Sequence, residues 1–238
     1  MKERDISGVS EVLDNILIVA MISITISIIL LYGFPLIDSH QKVIRERNVI
    51  SQLVYLSEQL SKVSTDVFPV ATTKLALSGG SLSISDGTQV DITVRNSSGV
   101  VLLQLNESLG AIKYSSSDFS MAIENGGVFG DIVVASPKMY MQDGNLSIAL
   151  FKIVGRGSAA GGLGGGVANL ILKFNSTRSY TFNESGNITI EIRTDYAKSW
   201  KQFLTEFGTV EEGQNEVEIT IPFNRLTLTE YVVDVRMV

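Results

Sequence analysis

Cysteine is absent from the 238 residues. Disulfides, thiolate catalysis, zinc-finger sites and cysteine-held iron–sulfur clusters are therefore excluded. Histidine occurs once, at His40, which leaves no histidine-rich metal site and little scope for a triad. Charged residues make up only 18%, with 19 basic against 25 acidic side chains, so the surface lacks the positive excess of a general nucleic-acid binder. What is abundant is apolar: 45% of the chain, too much for a disordered polypeptide.

That apolarity is concentrated. Residues 15–37 carry no formal charge, and 16–32 are almost wholly aliphatic or small. As a helix this run is about 34 Å long, enough to cross a hydrocarbon core. Backbone groups in lipid must be satisfied internally, so a lone span has to be helical despite its many β-branched isoleucines. Pro35 removes one amide donor and is expected to kink the helix near its outer end. The run is too long for a cleaved secretory signal, and Ser39-His40-Gln41-Lys42-Val43 offers no small-x-small cleavage site, so the segment reads as retained. Flanking charge does not orient it. Lys2 and Arg4 stand among Glu3, Asp5, Glu11 and Asp14 on one side, and Lys42, Arg45 and Arg47 lie on the other.

Ahead of the apolar run stands a charged leader ending in Ser7-Gly8, then Val9-Ser10-Glu11-Val12-Leu13. Leader, glycine, nearby carboxylate and long span together resemble the N-terminus of type IV prepilins, in particular archaeal type IV pilin-like proteins with a class III signal peptide. The resemblance implies cutting between Gly8 and Val9 by a prepilin peptidase, with the helix kept. It also implies assembly machinery as a partner. Independently of it, Glu11 and Asp14 are three apart and share a helix face near the N-terminus, where carboxylates are favoured. In a helical bundle a buried carboxylate needs a cation, which the new amino group of Val9 in a neighbouring subunit would supply. The other reading leaves both acids idle among lipid headgroups.

Residues 48–68 continue helically, with Ile50, Leu53, Val54, Leu60, Val63 and Val67 mostly on one face and Pro69 as the stop. Beyond Val70 the period shortens to two. Strands are expected at 73–78, 81–85, 89–95, 100–105, 111–114, 119–124, 131–135, 146–154, 167–174, 178–182, 187–193, 216–221 and 227–236, punctuated by Gly79-Gly80, Asp86-Gly87, Ser98-Gly99, Asn125-Gly126-Gly127 and Asp143-Gly144. Such short, evenly spaced strands point away from a βαβ plan. One helix is expected at 196–207, capped by Asp195 and stopped by Gly208. Tyr196, Trp200, Phe203, Leu204 and Phe207 share a face of it. They read as a cover for a sheet, the alternative being a stacking surface for a sugar or a partner.

Catalytic signals are few. Gly155-Arg156-Gly157-Ser158-Ala159-Ala160 matches a dinucleotide fingerprint in spacing, but glycines follow where a helix is needed, so 155–166 reads as a flexible loop. No acidic spacing matches a calcium loop, and no cofactor motif appears. A non-enzymatic protein without cofactor or metal is expected. Asn-x-Ser/Thr stands out. Twelve asparagines among 42 Ser and Thr should give about two such sites by chance. Six occur, at Asn96, Asn106, Asn145, Asn175, Asn183 and Asn187, all after the span. Some of them read as N-glycosylation sites, the alternative being sequons made by a Ser/Thr-rich composition, and they put the β-rich part outside and the N-terminus in the cytoplasm.

The expected fold is α+β: a long transmembrane and amphipathic helix followed by an antiparallel, sandwich-like extracellular domain. Its segments are a leader at 1–8, a span at 9–37, a stalk at 38–69 and the β-rich domain at 70–238. The expected role is that of a cell-surface structural protein, a filament subunit or minor component with an adhesive use. It would be embedded in the bilayer and associate with like or related chains through its N-terminal helices. The alternatives are a tethered surface protein that does not polymerise, and a tethered exoenzyme or ligand-binding module.

Overall fold

The computed structural model describes residues 7–65, 68–161 and 165–238, with side chains from Leu13 onward. It divides into two compact units, Met1–Arg47 and Asn48–Val238.

In the first unit helix α1 covers Ser7–Ile28, a π-helical turn covers Ile29–Gly33, and α2, Phe34–Ser64, begins. The wide turn ends one residue before the helix that contains Pro35. Proline has no N–H to give back to the preceding turn, and a π-turn is one way to absorb that loss. Every described residue from Leu13 to Tyr32 is exposed, most of them large and apolar. The few hydroxyls bond their own helix: Ser23 to the Val19 carbonyl at 2.8 Å, Thr25 to Met21 at 2.8 Å and Ser27 to Ser23 at 2.7 Å. Among the described residues one helix is long and apolar enough to cross a membrane.

Among the described residues the second unit holds the end of α2 and sixteen strands in three sheets. The first sheet runs β1 (Val70–Ala76), β12 (Val167–Phe182), β16 (Arg225–Met237), β10 (Asn145–Val154), β9 (Met139–Gln142). The second runs β11 (Gly157–Ala160), β2 (Ser81–Ser85), β5 (Ala111–Ser115), β6 (Ser120–Glu124), β7 (Gly127–Phe129), β8 (Val133–Ala135). The third runs β14 (Val210–Glu212), β15 (Glu216–Phe223), β13 (Gly186–Arg193), β3 (Gln89–Asn96), β4 (Val101–Ser108). Pairing is antiparallel with one correction to expectation: β10 and β16 run parallel, Asn145 opposite Arg225 through Val154 opposite Asp234.

The strands of the first sheet are long enough to serve two cores. In β10, Leu146, Ile148 and Leu150 enter one core, and Phe151 and Ile153 enter the other. In β16, Leu226 and Leu228 serve the first, and Val233 and Val235 the second. Odd and even residues point to opposite faces. The two cores therefore lie on opposite faces of one shared sheet, over its two halves. The third sheet and helix α3 (Ala197–Leu204) close the first core, and the second sheet and α2 close the other. From α2 the buried residues include Val49, Leu53, Leu56, Leu60 and Val63; of the expected face Leu53, Leu60 and Val63 are buried, while Ile50 and Val54 are half-buried at its margin and Val49 and Leu56 take their place.

Several local expectations change. Helix α2 ends at Ser64, before Pro69, and Val67 lies outside the described residues. The strands at 167–174 and 178–182 are one strand, β12, with a bulge between Phe174 and Ser176. Part of the glycine-rich stretch is strand rather than loop, since β11 pairs with β2. Asp195 does not cap α3: Tyr196 stands at the cap without a side-chain bond, and the Tyr196 N–H donates to Thr194 Oγ1. Asp195 is held away by Lys113, at 2.9 Å.

Candidate functional site

Of the residues singled out near the N-terminus, Gly8, Val9 and Glu11 fall in α1, and their side chains lie outside the described ones. The leader residues before Ser7 also lie outside. Asp14 is exposed on α1.

The six asparagines are all at or near the surface. Asn106, Asn145, Asn175, Asn183 and Asn187 are exposed and Asn96 is half-buried. Four of them gather at one end of the β-rich unit, where hydrogen bonds join four connections in series. The Ser97 N–H donates to the Ser185 carbonyl, Ser185 Oγ approaches Asn224 Oδ1 at 3.4 Å, and the Asn224 N–H donates to the Gly144 carbonyl. Asn96, Asn145, Asn183 and Asn187 flank these connections. Asn96 uses its carbonyl oxygen to hold the β3–β4 turn, accepting from the N–H groups of Ser98 and Val100. Asn106 and Asn175 instead donate that nitrogen to Asp91 and Asp234.

The sequence did not disclose a buried carboxylate, Glu124, at the end of β6. It is 3% exposed. Thr194 Oγ1 donates to it at 2.8 Å and the Trp200 indole N–H at 2.8 Å. Thr88, fully buried, lies beside the same carboxylate without reaching hydrogen-bond geometry. Burial pushes the carboxyl up from its ordinary range, and the bonds from Trp200 and Thr194 offset only part of that. The only signal in the sequence was Trp200, whose buried N–H needs an acceptor. Its ring stacks on Phe129 with centroids 4.5 Å apart, so the aromatic face of α3 is cover for a core.

Next to Glu124 is an open cleft of about 700 Å³, lined by Lys113, Ser120, Asp131, Asp195, Tyr196 and Lys198 among others. Lys113 Nζ pairs with Asp195, which raises its pKa, and stands 5.8 Å from the Tyr196 ring centroid. The Tyr196 hydroxyl and Ser120 Oγ are 2.8 Å apart. Desolvation pushes the Tyr196 phenol up, so at neutral pH it is a neutral hydrogen-bonding group. The cleft offers donors, acceptors and one aromatic face, which suits a polar ligand. Among the described residues no three acids or histidines are grouped to hold a metal.

A long exposed apolar helix ahead of a three-sheet β unit defines an α+β protein with one candidate membrane segment. The chain belongs to a family of unknown function, DUF7289, whose model matches residues 7–237. No curated protein and no solved structure matches it.

Proposed function

We propose that this is a pilin-like surface protein, anchored by α1 with its N-terminus in the cytoplasm and its sandwich-like β unit outside. In this reading it is a subunit or minor component of a type IV pilus-like filament. The observation that carries the reading is α1 itself: all its described side chains are exposed and most are aliphatic, so it needs lipid or other helices around it. Association through such helices would form the filament core, with Glu11 paired to the Val9 amine of a neighbour after cutting at Gly8. A prepilin peptidase and assembly machinery are the partners this implies. The six surface asparagines support an exported, N-glycosylated domain, and the role is structural or adhesive rather than enzymatic. N-terminal sequencing of the native protein tests it. A start at Val9 supports processing. A start at Met1 favours an uncut anchor that does not polymerise, and a start beyond Ile37 removes the anchor altogether.

The Lys113–Tyr196 cleft favours a second reading, a tethered ligand-binding domain. Saturable binding of a glycan by the native protein, lost on Tyr196→Ala, would support it.

A further inference from the structure

We infer that the β-rich unit carries a self-complementary face on which a second copy of the same chain docks. The outer face of the third sheet bears a row of acids in register across four neighbouring strands: Glu211 opposite Glu218, Glu218 opposite Glu191, Glu191 opposite Asp91. Like charges directly opposite one another repel and cost stability. Arg193 relieves part of this, reaching Asp91 at 2.7 Å and Glu191 at 2.5 Å. Among the described residues no cation pairs with Glu211 or Glu218.

The first sheet supplies the opposite sign. Over the half that covers the second core, its outer face carries Lys74, Lys173 and Arg236, exposed and without an ion pair among the described residues. Asp234, opposite Lys173, is the acid among them and accepts from Asn175. Interleaved are Val70, Val154 and Val167, 52%, 42% and 59% exposed. The face thus combines unpaired cations with singly exposed valines, a chemistry complementary to an acidic sheet face.

Geometry fixes how two copies would meet. The third sheet stacks on the first over the first core, so its outer face looks out on the same side as the basic half-face. It stands one sheet spacing higher, about 10 Å. Each copy therefore presents a raised acidic step beside a recessed basic one. A two-fold axis sets the raised step of each copy into the recess of the other, the isologous arrangement common to most dimers. The recess spans four strands of about seven residues, roughly 350 Å². Used twice, it gives about 700 Å² per copy, near the small end for specific pairs, so the contact should be weak and sensitive to salt. The inference does not depend on filament formation or on cutting at Gly8. It does require Asn106 and Asn187, exposed on the acidic face, and Asn175, which bonds Asp234 on the basic face, to be free of glycan.

The test uses the full chain in detergent. Because it has no cysteine of its own, single cysteines report contacts unambiguously. Thr220→Cys marks the raised face and Thr72→Cys the recess. Mixed together, the two proteins should be joined by a bismaleimide far better than either variant alone, and less so at high salt. Glu191→Lys with Glu218→Lys should weaken dimerisation at least about tenfold, as should Lys173→Glu with Arg236→Glu. All four changes in one chain should restore it, which a misfolded protein would not do. Cross-links of equal yield in each single variant overturn the inference. So does failure of the four-fold variant to recover, or glycan at Asn106, Asn175 or Asn187 in the dimer. Assembly through α1 is read separately by Glu11→Gln, so either idea can fail alone.

Discussion

Glu124 is the residue whose chemistry is most specific. Its folded pKa is raised above the ordinary 4.5 by burial. Between 4.5 and the raised value the folded chain holds a proton that the unfolded chain has lost. The carboxyl therefore contributes full stability below about pH 4.5, and that contribution is lost as pH rises through the folded pKa. Glu124→Gln keeps an acceptor for Trp200 and removes the charge. Thermal melts across pH 4–8 should show a flatter profile than the parent, with the variant at least as stable at pH 7. A parallel profile would mean the carboxyl ionises freely. Gly110 is the second sensitive position. Its φ is +67°, and a β-carbon there would overlap the Ile153 carbonyl oxygen. Gly110→Ala should cost about 2 kcal/mol or more, read as a lowered denaturation midpoint.

At the scale of elements, α2 offers the clearest test. Leu53 and Leu60 are fully buried against the second core. Each Leu→Ala change costs about 2–5 kcal/mol, so the double variant should melt at least about 8 °C lower, followed by far-ultraviolet circular dichroism. That face was legible in part: Leu53, Leu60 and Val63 follow the helical spacing, but Ser57 and Ser64 interrupt the stripe, and Val49 and Leu56 were missed in favour of Ile50 and Val54, which lie at its margin. Strands with clean alternation were legible too: β2 was read at its observed bounds, 81–85. What escaped was what pairing decides. β7, β11 and β14 are three or four residues long and carry no period of their own; they are strands because β6, β2 and β15 lie beside them. Asn175-Ser176-Thr177 read as a break in β12, but a bulge holds those residues within the strand. The Lys113–Asp195 pair, 82 positions apart, and the Glu124 cluster are joined only by the fold.

For the whole molecule, the sharing of β10 and β16 between two cores predicts a single unfolding transition for residues 48–238. Losing either core would leave half of each shared strand with an uncovered apolar face. Calorimetry of the full chain in detergent should show one peak for the β unit, and two separate peaks would count against this coupling. The arrangement also acts as an error check on strand alignment. In most sheets a slip of one residue is punished once, on the single face that meets a core. Here a one-residue slip of β16 along β10 would turn Leu226 and Leu228 out of one core and Val233 and Val235 out of the other at the same time. A misaligned chain has no half-correct state in which to rest, so a register error in this sheet should be undone rather than stored.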